Sequence, residues 1–344
     1  MNSINRLEHI DVLKGVAIFL MVVGHFLSNN LFPITPNGNE PYAVRFIFHI
    51  IYSFHMPLLF FLSGYLFVAN EPPQLPEHYI GKTVYKKTMS LMMPWLSNMV
   101  VLYALFHIFH PLWFLSSLFW ITVVFVSLHY LAQRQSLALW KELLIHILVF
   151  ALLFVVTHFV TKTRADYIFT FHRAMKSYPY FVAGYAFFHY EKYFKNKFNN
   201  LIFTIAALSY GWLFYLENYA ISDPHELLAY PIALSAIIIV YFAFTYPQSP
   251  TTHHSVIYRQ LALFGRHSLT IYLFSSIFLI DCPYVGQLLH LSYSWDSLHL
   301  TCITMQILLP LLPALVAAYC SIAVQNIFRH SKLLNLLLFG KRWW

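Results

Sequence analysis

Charge is what this chain lacks. Only 10% of its 344 residues are Asp, Glu, Lys or Arg, against about 25% in ordinary soluble domains. A chain so poor in charge cannot coat a water-facing surface. Its 59% hydrophobic content and mean hydropathy of +0.61 point instead to lipid as the solvent. Cysteine is scarce too: Cys282, Cys302 and Cys320 show neither metal nor redox spacing. That excludes a disulfide scaffold and leaves three small packing residues. Glycine-rich phosphate loops and nucleophile elbows are missing, as are low-complexity tracts, internal repeats and any loop long enough to fold alone. His107 with His110, and His253 with His254, come without a carboxylate or thiolate at ligand spacing. No metal is expected.

What the chain does have is a succession of apolar stretches, each near the roughly 20 residues that cross a hydrocarbon core. We place ten, at 10–32, 44–68, 89–109, 112–131, 142–160, 176–190, 201–217, 226–246, 260–281 and 299–328. The sixth is short, and Pro179 and Gly184 interrupt it. The expected fold class is an all-α integral membrane protein with about ten transmembrane helices, residues 1–344 forming a single multi-pass domain. With the N-terminus inside, sixteen of the 21 lysines and arginines fall on inner segments. The positive-inside rule then puts both termini in the cytoplasm. A net charge of +8 reflects cytoplasmic loops lying on anionic membrane lipid and calls for no nucleic acid. The first stretch is too long for a signal-peptide core, and no small-residue cleavage site follows it, so it is expected to stay as an anchor.

That first stretch carries Lys14 and, eleven residues on, His25. Eleven helical steps make about three turns and about 16 Å of rise, so both side chains share one face. The cation then lies near a membrane surface and the imidazole near mid-depth, where an ionisable group marks a functional site by default. Asp11 is three residues from Lys14 and is expected to pair with it. The second stretch reads Phe54-His55-Met56-Pro57 and then Leu62-Ser63-Gly64-Tyr65. Pro57 has no amide proton and so releases the carbonyl of Ser53 from the helix ladder. His55 is expected at a depth similar to His25. Gly64 permits tight contact with another helix.

The run from Asp11-Val12-Leu13-Lys14-Gly15 to Gly24-His25, with Phe54-His55-Met56-Pro57 and Phe60 to Tyr65, resembles the membrane-bound acyltransferase-3 family. The closer likeness is to its short stand-alone branch, the fucose 4-O-acetylase-like sugar O-acetyltransferases. The family's basic residue, ten-residue gap and histidine correspond to Lys14 and His25. Its basic pair and later proline resemble Lys86, Lys87 and Pro94. A Leu-Trp-Phe-Leu element matches Leu112 to Leu115, and a late element matches Gly265 to Leu273. One departure stands out. Many members carry a histidine soon after that late element, where this chain has Ser275 and Ser276.

The resemblance implies transfer of an acyl group, usually acetyl, from cytoplasmic acyl-CoA to a hydroxyl of a cell-envelope glycan or its lipid-linked precursor. The implied location is the bacterial cytoplasmic membrane. Acetyl-CoA enters as donor substrate, and no resident cofactor is implied. Its polyanionic head suits Lys14, Lys86 and Lys87, and its thioester arm suits His25. His25 is the candidate general base; an acyl-His25 intermediate is the other route. His55, Ser63 and Tyr65 are candidates for stabilising the oxyanion. The loop at 161–175 carries Lys162, Arg164, Asp166, His172 and Arg173. Basic charge there runs against the topological bias, so Arg164 and Arg173 are candidates for holding an anionic sugar or lipid pyrophosphate. The competing reading is a transporter or flippase of lipid-linked sugars. Such proteins usually place carboxylates inside the membrane, whereas the thirteen acids here map to loops or helix ends.

Overall fold

In hydrocarbon no water pairs with the backbone, so a crossing segment must satisfy its own amides, and a helix does so locally. The computed structural model describes residues 3–30, 42–72, 75–107, 112–159, 168–197, 199–220, 226–245, 255–279 and 300–340. Among them every regular element is helical. In chain order these are α1 (Ser3–Asn30), α2 (Tyr42–Ala69), α3 (Tyr79–Lys87), a π-helical turn (Thr88–Met92) and α4 (Met93–Phe106). Then follow α5 (Trp113–Arg134), α6 (Leu139–Phe159), α7 (Phe171–Lys197), α8 (Asn199–Tyr215), a second π-helical turn (Leu216–Ala220), a 3-10 turn (Glu226–Leu228), α9 (Ala229–Thr245), α10 (Val256–Arg266), α11 (Ser268–Phe278), α12 (Leu300–Phe328) and α13 (Lys332–Phe339). Two short helices are punctuated as physical chemistry expects. Ser255 accepts from the Tyr258 amide at the start of α10, and Ser331 accepts from the Leu334 amide at the start of α13.

Five segments are long and apolar enough to cross a membrane: Glu8–Ser28, Val44–Ala69, Trp113–Arg134, Leu139–Val156 and Thr304–Phe328. Leu148 and Leu152 of α6, and Leu308 and Leu312 of α12, are exposed. Apolar surface of that extent has lipid as its natural neighbour. The protein is a multi-pass membrane protein. The helices alone establish fewer spans than the ten expected from sequence. The expected sixth span is the 27-residue helix α7, with Pro179 inside it, but its lysines and histidines lower its hydropathy. The expected third is divided among α3, the π-helical turn and α4. The expected ninth is a broken pair: α10 and α11 meet at an angle of 91° around His267.

The chain divides into two units. The first holds residues 1–59 and 193–325. Its core contact is between α1 and α10, made by glycines that offer no Cβ. A Cβ on Gly15 would come within 1.8 Å of the Leu261 carbonyl oxygen, and one on Gly265 within 1.7 Å of the Asp11 oxygen. Residue numbers fall on α1 as they rise on α10, so the two helices run antiparallel. A ninth crossing in a chain of alternating crossings would run parallel to the first. The α10 half of the broken pair does not. Phe19 stacks on Phe264, and His9 meets Tyr241 of α9 edge-on. At the break, His267 and Thr270 both donate to the Gln325 side-chain oxygen of α12, at 2.6 and 2.8 Å.

The second unit holds residues 60–192 and 326–344. Its crossing of α2 with α7 repeats the same device. A Cβ on Gly64 would lie 1.9 Å from the Phe181 oxygen, and one on Gly184 would lie 1.9 Å from the Phe61 oxygen. The tight contact anticipated for Gly64 is present, and Gly184 is its reciprocal partner. The C-terminal helix α13 packs on α4 in this unit.

Candidate active site

The first unit places three candidate residues in one region. Lys14 and His25 lie on the continuous helix α1, and both are partly buried. Asp11 pairs with Lys14 as expected, with Oδ1 3.8 Å from Nζ. Arg266, at the end of α10, lies within electrostatic reach of Asp11. Gly265 lets that end approach so closely. The polar end of α1 therefore gathers Lys14 and Arg266 with the carboxylates of Asp11 and Glu8.

Farther along α1, Gly24 admits α2. A Cβ there would meet the Tyr52 ring at 2.8 Å and the Ile51 side chain at 3.3 Å. Tyr52 shares a side-chain hydrogen bond with Ser28, whose hydroxyl donates to the carbonyl of His25 at 3.1 Å. The Tyr52 ring also meets His55 edge-on, with centroids 5.0 Å apart. The two imidazoles lie within electrostatic reach of each other. His25 and His55 thus belong to one site, with Tyr52 between the helices.

His55 is 3% exposed, and its Nδ1 is 2.7 Å from the Ile51 carbonyl oxygen. A carbonyl only accepts, so Nδ1 carries the proton. In the neutral ring, Nε2 then holds a lone pair. Neutral His55 can accept a hydrogen bond there, and it cannot donate one to an oxyanion.

The other candidates belong to the second unit. Ser63 is partly buried. Tyr65 is buried and its hydroxyl donates to Glu191 at 2.8 Å. Ser63 lies eight residues beyond His55 on α2, about 12 Å along the axis, too far for both to serve one oxygen. Lys86 is exposed and Lys87 partly buried. Lys87 directly precedes the π-helical turn, an irregularity often found at functional sites. Arg173 is exposed, with its guanidinium 5.1 Å from the centre of the Trp113 ring. Arg164 and Lys162 lie outside the described residues.

Sequence reasoning missed a buried network in the second unit. His129, 1% exposed, holds Glu142 on Nδ1 at 2.5 Å and Glu71 on Nε2 at 2.7 Å. Both ring nitrogens face carboxylates, which is the arrangement of a doubly protonated imidazole. His146 adds a ring 3.7 Å from Glu142 and bonds the Tyr178 hydroxyl at 2.6 Å. Tyr79 donates to Glu71 at 2.9 Å. Burial and then the Glu71 charge push the Tyr79 phenol upward, so it stays a protonated donor. Glu71 and Glu142 do lie at helix ends, but Glu142 is 1% exposed. No local pattern marks a pairing across fifty-eight residues. Among the described residues no group of three or more His, Cys, Asp or Glu is arranged to hold a metal ion. Cys320 is a free thiol.

A family model described as an acyltransferase domain, acyltransferase 3, matches residues 7–324. Two curated relatives are similar over a short stretch. The nodulation protein NolL of Sinorhizobium fredii is 43% identical over 63 residues, and NolL of Mesorhizobium japonicum is 37% identical over 62. Each match covers 18% of this chain and 16% of the relative. No solved structure matches the chain.

Proposed function

Because the chain belongs to the acyltransferase-3 family, we propose that this membrane O-acyltransferase moves an acetyl group from cytoplasmic acetyl-CoA to a hydroxyl of a cell-envelope glycan or its lipid-linked precursor. The observation that carries the reading is the pairing of His25 and His55 across the Gly24–Tyr52 contact, with Lys14 farther along the same helix as His25. Neutral His25 accepts the proton of the acceptor hydroxyl as its oxygen attacks the thioester carbon. The tetrahedral intermediate collapses and expels the coenzyme A thiolate, which recovers the proton from His25. The sum is one ester formed and one thioester broken. His55, with Nε2 as an acceptor, orients the incoming hydroxyl.

Lys14 and, in the second unit, Lys86 and Lys87 supply positive charge for the donor's phosphates; lysine acts there as a point charge. Arg266 reinforces Lys14. Ser63, toward the cytoplasmic end of α2, is assigned to substrate binding; Tyr65, buried and bonded to Glu191, supports that end of the helix. Arg173 on its Trp113 platform, with Arg164, holds the anionic acceptor. Bacterial inner-membrane residence and two cytoplasmic termini complete the reading.

The test uses membranes carrying the protein, labelled acetyl-CoA and envelope glycan. His25→Ala should lower transfer by about 100-fold or more, the usual worth of a general base. Lys14→Ala should mainly raise the apparent KM for acetyl-CoA. Equal labelling by wild type and His25→Ala would refute the role of His25. A transporter of lipid-linked sugars is the second reading, favoured by the buried carboxylate Glu142 and the partly buried Glu71. Those carboxylates are already satisfied by His129 and Tyr79. If acetyl never leaves coenzyme A while lipid-linked sugar crosses the bilayer, that reading wins.

A further inference from the structure

The short helix α3 ends in Lys86 and Lys87, and the second unit holds it at both ends. At its start, buried Tyr79 donates to Glu71, which His129 holds in turn, and the Tyr79 ring stacks on Tyr130. At its far end the helix runs into the π-helical turn, closed by the Met93 amide donating to the Thr88 carbonyl. Pro94 has no amide proton, so the Ser90 carbonyl has no donor four residues on. An irregular turn of this kind keeps its shape only when its surroundings hold it.

Those surroundings are the C-terminal helix α13. It ends at Gly340 with φ +63°, a conformation that glycine adopts without steric cost. A Cβ on Gly340 would meet the Ser90 Cα at 2.7 Å and the Met89 carbonyl oxygen at 2.8 Å. The backbone of Gly340 therefore rests directly on the turn. Asn98, 2% exposed, donates from one nitrogen to the Pro94 carbonyl at 2.7 Å and to the Leu338 carbonyl at 3.2 Å. One buried amide thus ties the start of α4 to the last turn of α13. Phe339, 1% exposed, anchors the same end. Leu333, on the opposite end of α13, is exposed.

We propose that α13 is a positioning strut: through Gly340 and Asn98 it fixes the π-helical turn and so aims Lys86 and Lys87 at the phosphates of the acyl donor. The proposal rests on the donor role given above to those lysines. Gly340 and Asn98 touch no substrate. They act through the basic pair.

The experiment measures equilibrium binding of coenzyme A to the full-length chain in detergent, with the thermal midpoint recorded for each variant. Gly340→Ala and Asn98→Ala should each weaken binding about threefold to tenfold, in the range of coupling between neighbouring groups. Leu333→Ala should bind as wild type. Combining Gly340→Ala with Lys86→Ala and Lys87→Ala should be no worse than the lysine substitutions alone, because the strut acts only through them. A merely structural role would not produce that non-additivity. Asn98→Ala carries the same comparison should Gly340→Ala fail to fold. Effects that multiply in the combined variant would overturn the strut while leaving the donor reading intact, and so would unchanged binding in Gly340→Ala and Asn98→Ala. Wild-type affinity in the chain lacking both lysines would overturn the donor reading itself, and the strut with it.

Discussion

A single imidazole changes its chemical meaning with the partner of one nitrogen. His55 spends its Nδ1 proton on the Ile51 carbonyl, which fixes the tautomer and leaves a lone pair on Nε2. His129 spends both nitrogens on carboxylates and so has no lone pair left for proton transfer. One is disposed for chemistry and the other for structure. Removing one partner of the buried His129 network should therefore act on stability. Glu142→Ala is expected to cost about 3–5 kcal/mol, the usual consequence of leaving a buried charge without its partner. A lower thermal midpoint in detergent is the expected pattern. A variant of wild-type midpoint would show that the network carries no such load. The sequence displayed His25 and Lys14 through their register on one helix. It could not display His129, whose partners come from other segments.

At the scale of elements, the same physical device appears twice. Gly15 with Gly265 brings α1 against α10, and Gly64 with Gly184 brings α2 against α7. Helices in lipid gain little from hydrophobic contact with one another, so close backbone approach and dispersion must hold them. A methyl group at any of these four positions would overlap a backbone carbonyl, which no side-chain rotation relieves. Gly184→Ala and Gly265→Ala should each destabilise by more than about 2 kcal/mol, read as a loss of folded protein on detergent extraction. Gly81→Ala, with nothing within 4 Å of the added carbon, is the control and should extract like wild type. Gly64 showed its purpose in the sequence because it lies beside a motif in an apolar run. Gly184 read instead as an interruption of a weak span, since its reciprocal contact belongs to a helix more than a hundred residues away.

For the whole molecule, composition decided the medium. Ten percent charge and long apolar runs leave only a membrane, because no soluble surface can be made from them. Acyl transfer also belongs to this scale: loss of the protein should remove one acyl group from an envelope glycan, a fixed mass difference seen by mass spectrometry. A glycan profile identical with and without the protein would refute the proposed acceptor class. The sequence by itself determined helical, membrane-embedded architecture and the Lys14–His25 register, because both follow from periodicity within one continuous segment. Tertiary structure decided the rest. The 91° break that turns one expected span into α10 and α11, the tautomer of His55, the Tyr52 bridge and the support beneath Lys87 all depend on neighbours remote in the chain. Their physical reason is common to all of them: a hydrogen bond or a steric gap is set by whatever stands opposite, and a linear order of residues does not say what that will be.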